Sequence, residues 1–545
     1  MVAAAMKSFD YIIVGSGAAG SIVAARLSED PDVSVLVLEA GGRDNHPFMP
    51  MPIAFPKVAT TRSLIWPYET EPEPGLNNRT LPIWRGKTLG GCTSINAMIN
   101  VRGSRRDYDM WHEDGLVGWS YREVLPYFKK LESSWRGSGA YHGVDGPVGN
   151  VPVDGADTHY LSLQQAAINA GLQVCHDHNG AEQEGISRVE ITTNSGRRAS
   201  TAHAYLHPAT KTRKNIQVLT RAHTTRILFE GTRATGVEFL RRGKIERVHT
   251  DREIVLCAGT YSTPQLLMLS GVGPADHLRS IGIDVVHDLK GVGENLHEHP
   301  NLLNIYRANG RIGLSRHLRL DRATWAVARW ALFGNGPFAM AGTTANIFMR
   351  SQPKLERPDV QIIAMPVHQH AKLWFPGLTE PPVYAFTARV GILHALSRGW
   401  VRLRSSDPLD LPLIQFNMLT EQADMDSMVN AVKLSRDLFR QEPMRDLVTE
   451  ELLPGPQFQS DAELAQAIRQ QAEHRHHACG TCRMGTDDAA VVDARLRVIG
   501  LENLRIADAS VMPEDPSGNT NVPTMMIGEK AADLIKGHTL PPEDL

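Results

Sequence analysis

The sequence is poor in cysteine. Its 545 residues contain only Cys92, Cys175, Cys257, Cys479 and Cys482, too few for a disulfide framework, so a reducing, cytoplasmic setting is the expectation. Also missing is any uninterrupted apolar run of the ~18 to 20 residues that a bilayer crossing needs, which excludes an integral membrane helix. The opening MVAAAMKS lacks the apolar core of a secretory signal, and Met6 is a candidate start in its own right. Neither sign of charge is in excess: 57 basic residues face 60 acidic ones, so nothing points to nucleic acid or to an anionic membrane surface. There is no internal repeat, and a chain this long divides into two domains or one large domain with an excursion.

What is present begins at Phe9. The stretch FDYIIVGSGAAGSIVAARLSEDPDVSVLVLE, Phe9 to Glu39, reads as strand, glycine turn, small-residue helix, loop, second strand and terminal acid. That is the size, about 30 residues, of a parallel crossover. Gly15 permits the tight exit from the strand, Gly17 lets a phosphate approach bare backbone, and Gly20 lets the helix lie close on the sheet. A pyrophosphate then sits on the helix N-terminus, where free N–H groups and the dipole favour negative charge. Glu39 ends the second strand where a carboxylate accepts hydrogen bonds from ribose hydroxyls. This Rossmann-like unit predicts a dinucleotide site without choosing between NAD and FAD.

Residues Ala40 to Trp84 are rich in Pro, Gly and Asn with little periodicity, as in a lid or a cofactor wrap. RGKTLGGCTSINAMINVRG, Arg85 to Gly103, offers backbone N–H groups and the Asn96 amide to a polar ring or a phosphate, though it also reads as a helix cap. Helices are expected over about 107–135 and in LSLQQAAINAGL. His176 and His178 sit in a turn-rich, surface-like run and are ordinary polar residues rather than metal ligands. Residues 215–250 alternate as strands. Glu253 to Pro274 is another strand, glycine turn and helix, which brings the chain back to the nucleotide domain. From about 310 to 470, VQIIAMPV, PVYAFTARV and GWVRLRS follow one another without crossover helices, as in an antiparallel sheet walling a substrate pocket. Pro523 suits the first turn of a final helix.

Together, GSGAAG near the start, GGCTSIN at 90–96, GTYSTPQLLMLSGVG at 259–273, HACGTCRMG at 477–485 and NTNVPTMMIGEKAADLI at 519–535 resemble the glucose–methanol–choline oxidoreductases. The branch they resemble contains the bacterial choline, L-sorbose and medium-chain alcohol dehydrogenases. The resemblance runs from residue 8 to 537 and implies an α/β fold (α+β overall): a Rossmann-like FAD-binding domain with a second domain built on an antiparallel sheet with helices. On that pattern residues 1–155, 200–309 and 468–545 bind FAD, and 156–199 and 310–467 bind substrate. The implied reaction is oxidation of an alcohol to a carbonyl, with oxygen or a quinone as electron acceptor. Gly15, Gly17, Gly20 and Glu39 would hold the ADP half of FAD and Thr224 the adenine. Gly91, Asn96 and Ala97 would lie along the flavin and Asp508 would hold the ribityl chain. The helix beginning near Pro523 would point its positive end at the flavin. His477 matches the active-site base and Asn521 the second catalytic residue. Ile95 stands where some members carry the histidine that attaches FAD covalently, so non-covalent FAD is expected.

Three features depart from the pattern or compete with it. Cys479 and Cys482 form a CxxC that, with His474, His476 and His477, could be taken for a zinc or redox-dithiol site; the resemblance explains the stretch without metal. Thr344 falls where choline-type members carry an acid, which disfavours choline and favours an uncharged primary alcohol. Asn100 stands where relatives often have an aromatic near the pocket, and His368 and His370 are expected to end a strand rather than line the substrate face. The same scaffold also hosts hydroxynitrile lyases, a second reading.

Overall fold

The computed structural model describes residues 8–310 and 313–545; the opening stretch with Met6 lies outside the described residues. The expected crossover forms as the strand Ser8–Val14, the helix Gly20–Leu27 and the strand Val35–Glu39, the two strands parallel. All three are almost wholly buried, as in a parallel sheet covered on both faces. Ile216–Thr220 adds in parallel beyond Val35–Glu39, and Lys244–Leu256 in parallel on the other side of Ser8–Val14. Leu504–Ile506 and the antiparallel strands Arg233–Arg241 and Ala222–Glu230 complete a seven-stranded sheet.

The final helix, Asn521–Lys536, lies across the crossover helix. A Cβ on Gly528 would stand 2.9 Å from Ala19 Cα, so the approach requires glycine. Arg26 pairs there with the fully buried Glu529 at 2.9 Å, and Tyr205 donates to the same carboxylate at 2.7 Å.

A second seven-stranded sheet, antiparallel throughout, runs in the order Val448–Leu453, Pro300–Ala308, Ala385–Ile392, Val360–Met365, Ala345–Met349 and Gly185–Arg188, with Glu473–His474 beside Pro300–Ala308. Alternation sorts its faces. Phe386, Ala388, Val390 and Ile392 pack in one cluster with Met425, Met428 and Val432 of the helix Gln422–Arg440. Arg389 therefore points the other way, into the interior cavity. Pro300–Ala308 lies in this sheet, although residues up to 309 were expected on the cofactor side; its pairing with Ala385–Ile392 decides the matter. Trp400–Arg402, expected in the same sheet, instead forms a separate two-stranded sheet with Leu413–Gln415.

The irregular stretch 40–84 covers the cavity. It contains the short helix Phe55–Ala59 and the hairpin Ile65–Glu69 with Pro82–Gly86, and Phe55, Trp66, Tyr68 and Trp84 line the space beneath. His178 is buried, bonded to Asn100 O at 2.9 Å and Ser187 Oγ at 3.1 Å, so it is not on the surface. Asn100 is turned toward this cluster and toward Glu190, and it is absent from the cavity lining.

Candidate active site

One cavity of about 490 Å³ lies between the two sheets. Every expected site residue lines it except Gly20 and Pro523. Gly20 packs instead on the turn, where its Cβ would fall 2.0 Å from Gly15 O. Pro523 is buried in the first turn of the final helix.

At one end the groups are set for a dinucleotide. A Cβ on Gly17 would meet nothing nearer than Cys257 O at 3.9 Å, so its backbone is open to the cavity, while Gly91 crowds it from the far side with a Cβ 2.8 Å from Gly17 Cα. Glu39 is held by Ser16 N at 3.0 Å, Ser16 Oγ at 2.6 Å and Gly41 N at 2.7 Å. Burial pushes its carboxyl up, against the pull of those bonds. Thr224 Oγ1 is buried with no partner. Asp508 accepts from Gly259 N at 2.9 Å, Thr263 Oγ1 at 2.6 Å and Ser510 N at 2.8 Å. The final helix has no side-chain cap, and Thr520, Asn521 and Thr524 at its head face the cavity, leaving free N–H groups for an anionic ring edge. An open glycine cradle, an orphaned hydroxyl and an uncapped helix head fit FAD.

The 96–97 segment is fixed by Arg198, whose guanidinium donates to Asn96 O at 2.7 Å, Asn96 Oδ1 at 2.9 Å, Thr93 O at 3.2 Å and Met49 O at 3.0 Å. It has no carboxylate partner, and burial brings it down to about 9.

His477 stands where the two sheets meet. Its backbone N–H donates to the buried Glu298 at 2.8 Å, and its ring approaches His299 Nδ1 through Nδ1 at 3.0 Å. Asn519 Nδ2 donates to Nε2 at 2.9 Å. That bond makes Nε2 the acceptor and places the ring proton on Nδ1, facing His299. His299 Nε2 in turn lies 3.5 Å from Asp515, which accepts from Cys479 Sγ at 2.7 Å. Burial, followed by the charges of His299, Arg475, Arg85 and Arg389, holds His477 well below 6.5, and burial brings His299 down to about 4. Both rings are therefore neutral at neutral pH.

Asn519 owes its position to the loop before the final helix. Asp107, in the capping box of the helix Arg105–Glu113, accepts from Ser517 N at 2.6 Å and Ser517 Oγ at 2.7 Å, and from Arg357 at 2.8 Å. Asn521, the residue expected beside His477, opens the helix and lines the cavity, but the hydrogen bond to the base comes from Asn519. One turn of helix start separates the two asparagines, and the sequence NTN does not reveal which precedes the helix. Glu298 and His299 were not foreseen; the run HEHP at 297–300 was their only signal. Cys479 and Cys482 are free, buried and pushed well up by burial. Among the described residues the one group with ligand atoms gathered for a metal is Asp44, His203 and His207, none of which lines the cavity.

The opposite wall carries Arg389, Arg475, Gln369, His370, Thr343 and Ile363. His370 thus faces the cavity, contrary to expectation. Thr344 is fully buried with Oγ1 unpaired, and its neighbour Thr343 does the lining. Ile95 is buried against Met49, Val58 and Leu64 and offers no atom for attaching a cofactor.

The nucleotide sheet, the glycine cradle and the neutral His477 on the cavity wall define a flavin-dependent oxidoreductase. Two models of the GMC oxidoreductase family match residues 9–301 and 395–528, and the chain belongs to that family. An oxygen-dependent choline dehydrogenase of Chromohalobacter salexigens is 42% identical, covering 98% of this chain and 96% of that protein. A mitochondrial choline dehydrogenase of Mus musculus is 40% identical over 97% of this chain and 90% of its own. Among solved structures, a pyridoxine 4-oxidase from Mesorbium loti superposes with a TM-score of 0.87 at 32% identity, covering 98% of this chain and all of its own. A formate oxidase of Aspergillus oryzae gives 0.91 at 28% identity, with 98% and 99% covered. The protein is an FAD-dependent alcohol oxidoreductase.

Proposed function

We propose that the protein oxidises a primary alcohol bearing no positive charge to the aldehyde, with His477 as general base. FAD, when bound, supplies the two-electron acceptor that no side chain here replaces. The observation that carries the assignment is the ring of His477, uncharged at neutral pH on the cavity wall, with Nε2 held by an Asn519 amide that a substrate hydroxyl would have to displace. An imidazole so placed takes the hydroxyl proton, an effect worth about 10² to 10⁴ in rate. The Asn519 amide steadies the oxygen as negative charge develops on it, and Asn521 at the helix head is a second polar group at the same corner. Gly15, Gly17, Glu39, Gly91, Asn96, Ala97, Thr224 and Asp508 would hold the cofactor without a covalent bond.

The choline of the relatives' names is disfavoured here. Among the described residues the only carboxylates on the cavity wall, Glu39 and Asp508, are both engaged at the cofactor end, so a quaternary ammonium would find no counter-charge there. The expected uncharged alcohol goes only as far as excluding a cation. For the acceptor we propose oxygen or a quinone; relatives named oxygen-dependent favour the first. Among the described residues no helix is long and apolar enough to cross a membrane. We place the enzyme in the cytoplasm, with peripheral membrane contact only if a quinone is the acceptor.

Anaerobic mixing of the holoenzyme with benzyl alcohol, octanol, glycerol, sorbose and choline tests the assignment. Bleaching of the flavin band by a non-cationic alcohol supports it, and return of the band in air identifies an oxidase. Cleavage of a cyanohydrin without bleaching by any alcohol would install the hydroxynitrile lyase reading in its place.

A further inference from the structure

Three guanidinium groups, Arg85, Arg389 and Arg475, stand on the cavity wall around His477, and no carboxylate faces them there. Arg85 is occupied: it donates to His476 O at 2.8 Å and lies over the Tyr261 ring. The other two belong to the substrate wall.

Arg389 projects from the strand Ala385–Ile392 on the cavity face, opposite Ile363. Among the described residues its guanidinium makes no hydrogen bond and no ion pair, and Glu473 is the one opposite charge that acts on it. Arg475 is buried behind it, donating to Gln361 Oε1, to Gln361 O at 2.7 Å, to Arg389 O at 2.9 Å and to Asn301 Oδ1 at 3.3 Å. All four acceptors are uncharged. Burial and then the charge of Arg389 bring Arg475 down to about 9, against the pull of the buried Glu298, which makes no ion pair with it among the described residues.

Three other arginines, buried or nearly so, each meet a carboxylate. Arg102 meets Glu132, Arg436 meets Glu451 and Arg357 meets Asp107. Arg198, which among the described residues meets no carboxylate, does not line the cavity and donates through Nε and Nη1 to four oxygens, while its Nη2 stays unpaired. A buried cation is stable only when paired, and on this wall the pairing partner is missing from the protein. The wall holds a second sign of an absent acceptor: Thr343, 3% exposed, lines the cavity with Oγ1 unpaired.

We propose that the alcohol this enzyme oxidises carries a carboxylate, received by the free guanidinium of Arg389 and the hydroxyl of Thr343, with Arg475 holding the Arg389 strand in place. The planar fork of an arginine matches a carboxylate in two parallel hydrogen bonds. Ile363 and Met365, also on the cavity wall, flank an apolar spacer between the acid and the hydroxymethyl group. Arg389 O accepts from Arg475, two residues before His477, and Arg389 and His477 line the same cavity, so one small molecule can present its acid to the first and its hydroxyl to the second. The proposal deepens the alcohol-oxidation assignment and rests on it.

A charge series on one frame tests it: 4-(hydroxymethyl)benzoate, benzyl alcohol and choline with the holoenzyme, together with benzoate, which has no alcohol to oxidise, titrated against the flavin spectrum. The carboxylate should exceed benzyl alcohol at least ten-fold in kcat/KM, choline should be the poorest, and benzoate should perturb the flavin spectrum and compete. Arg389→Gln should collapse the anion-to-neutral ratio toward one, and Arg389→Lys should keep part of it, with the flavin spectrum reporting that both variants are loaded. Benzyl alcohol matching or beating its carboxylate, or benzoate failing to bind while benzyl alcohol bleaches the flavin, would overturn the anion site and leave alcohol oxidation standing. Benzoate binding that is lost in Arg389→Gln, with no bleaching by any alcohol, would do the reverse.

Discussion

The two ends of the cavity are built on opposite principles. At the cofactor end the charged groups are satisfied within the protein: Glu39 and Asp508 each accept three hydrogen bonds before any ligand arrives, and only neutral donors, the Thr224 hydroxyl and the helix-head N–H groups, are left open. At the substrate wall they are left open, with Arg389 unbonded and the Thr343 hydroxyl without a partner. The first end is a preformed mould for the cofactor. The second displays an unmet demand: a guanidinium and a hydroxyl with no partner among the described residues. His477 sits at the junction and responds to both.

Removing the base should separate the ends most sharply. His477→Ala should lower the rate of flavin bleaching by about 10² to 10⁴ while FAD remains bound, which its absorbance after gel filtration reports. Loss of the flavin would instead make His477 part of the mould. Next in size is Arg198→Met, which deletes three bonds to the 93–96 segment and one to Met49 O. It should purify largely as apoprotein, whereas Arg389→Gln should purify loaded. Equal FAD content in the two would erase the distinction between the ends.

Asn519→Ala and Asn521→Ala sharpen the junction. Loss of one hydrogen bond to a charge developing in the transition state costs about 10²-fold or more in kcat, and that loss should fall on Asn519 more than on Asn521. The reverse order would restore Asn521 as the partner of the base.

The smallest expected effect is on pH dependence. A protonated His477 cannot act as a base, so kcat/KM should be retained at neutral pH and fall only as pH drops through a value below 6.5. Because the Arg389 charge contributes to that depression, Arg389→Gln should move the acid limb upward. A wild-type limb at or above 6.5, or a limb unmoved by the substitution, would break the link between wall and base.

The cofactor end was legible because its chemistry is local. Gly15, Gly17 and Gly20 lie on one turn and Glu39 closes the same crossover, so spacing alone implies a phosphate and a ribose. The alternating strands 215–250 and the final helix were legible for the same reason. The substrate wall was not. Arg389 and Arg475 are 86 residues apart, and each in isolation reads as a surface charge; only the pairing of Ala385–Ile392 between Pro300–Ala308 and Val360–Met365 turns Arg389 inward. His178 was misread because the turns around it suggest exposure, although His178 and Asn179 both bond Asn100 O in the interior. Asn519 was missed because its place depends on Asp107, which reaches Ser517 across 410 residues.

The most direct test of the account is anaerobic mixing of the holoenzyme with 4-(hydroxymethyl)benzoate and, separately, benzyl alcohol, following the flavin's visible band. Bleaching by both, at least ten-fold more efficient for the carboxylate, is the predicted result. A flavin that stays oxidised with both alcohols while benzoate leaves its spectrum untouched would contradict the base and the wall together.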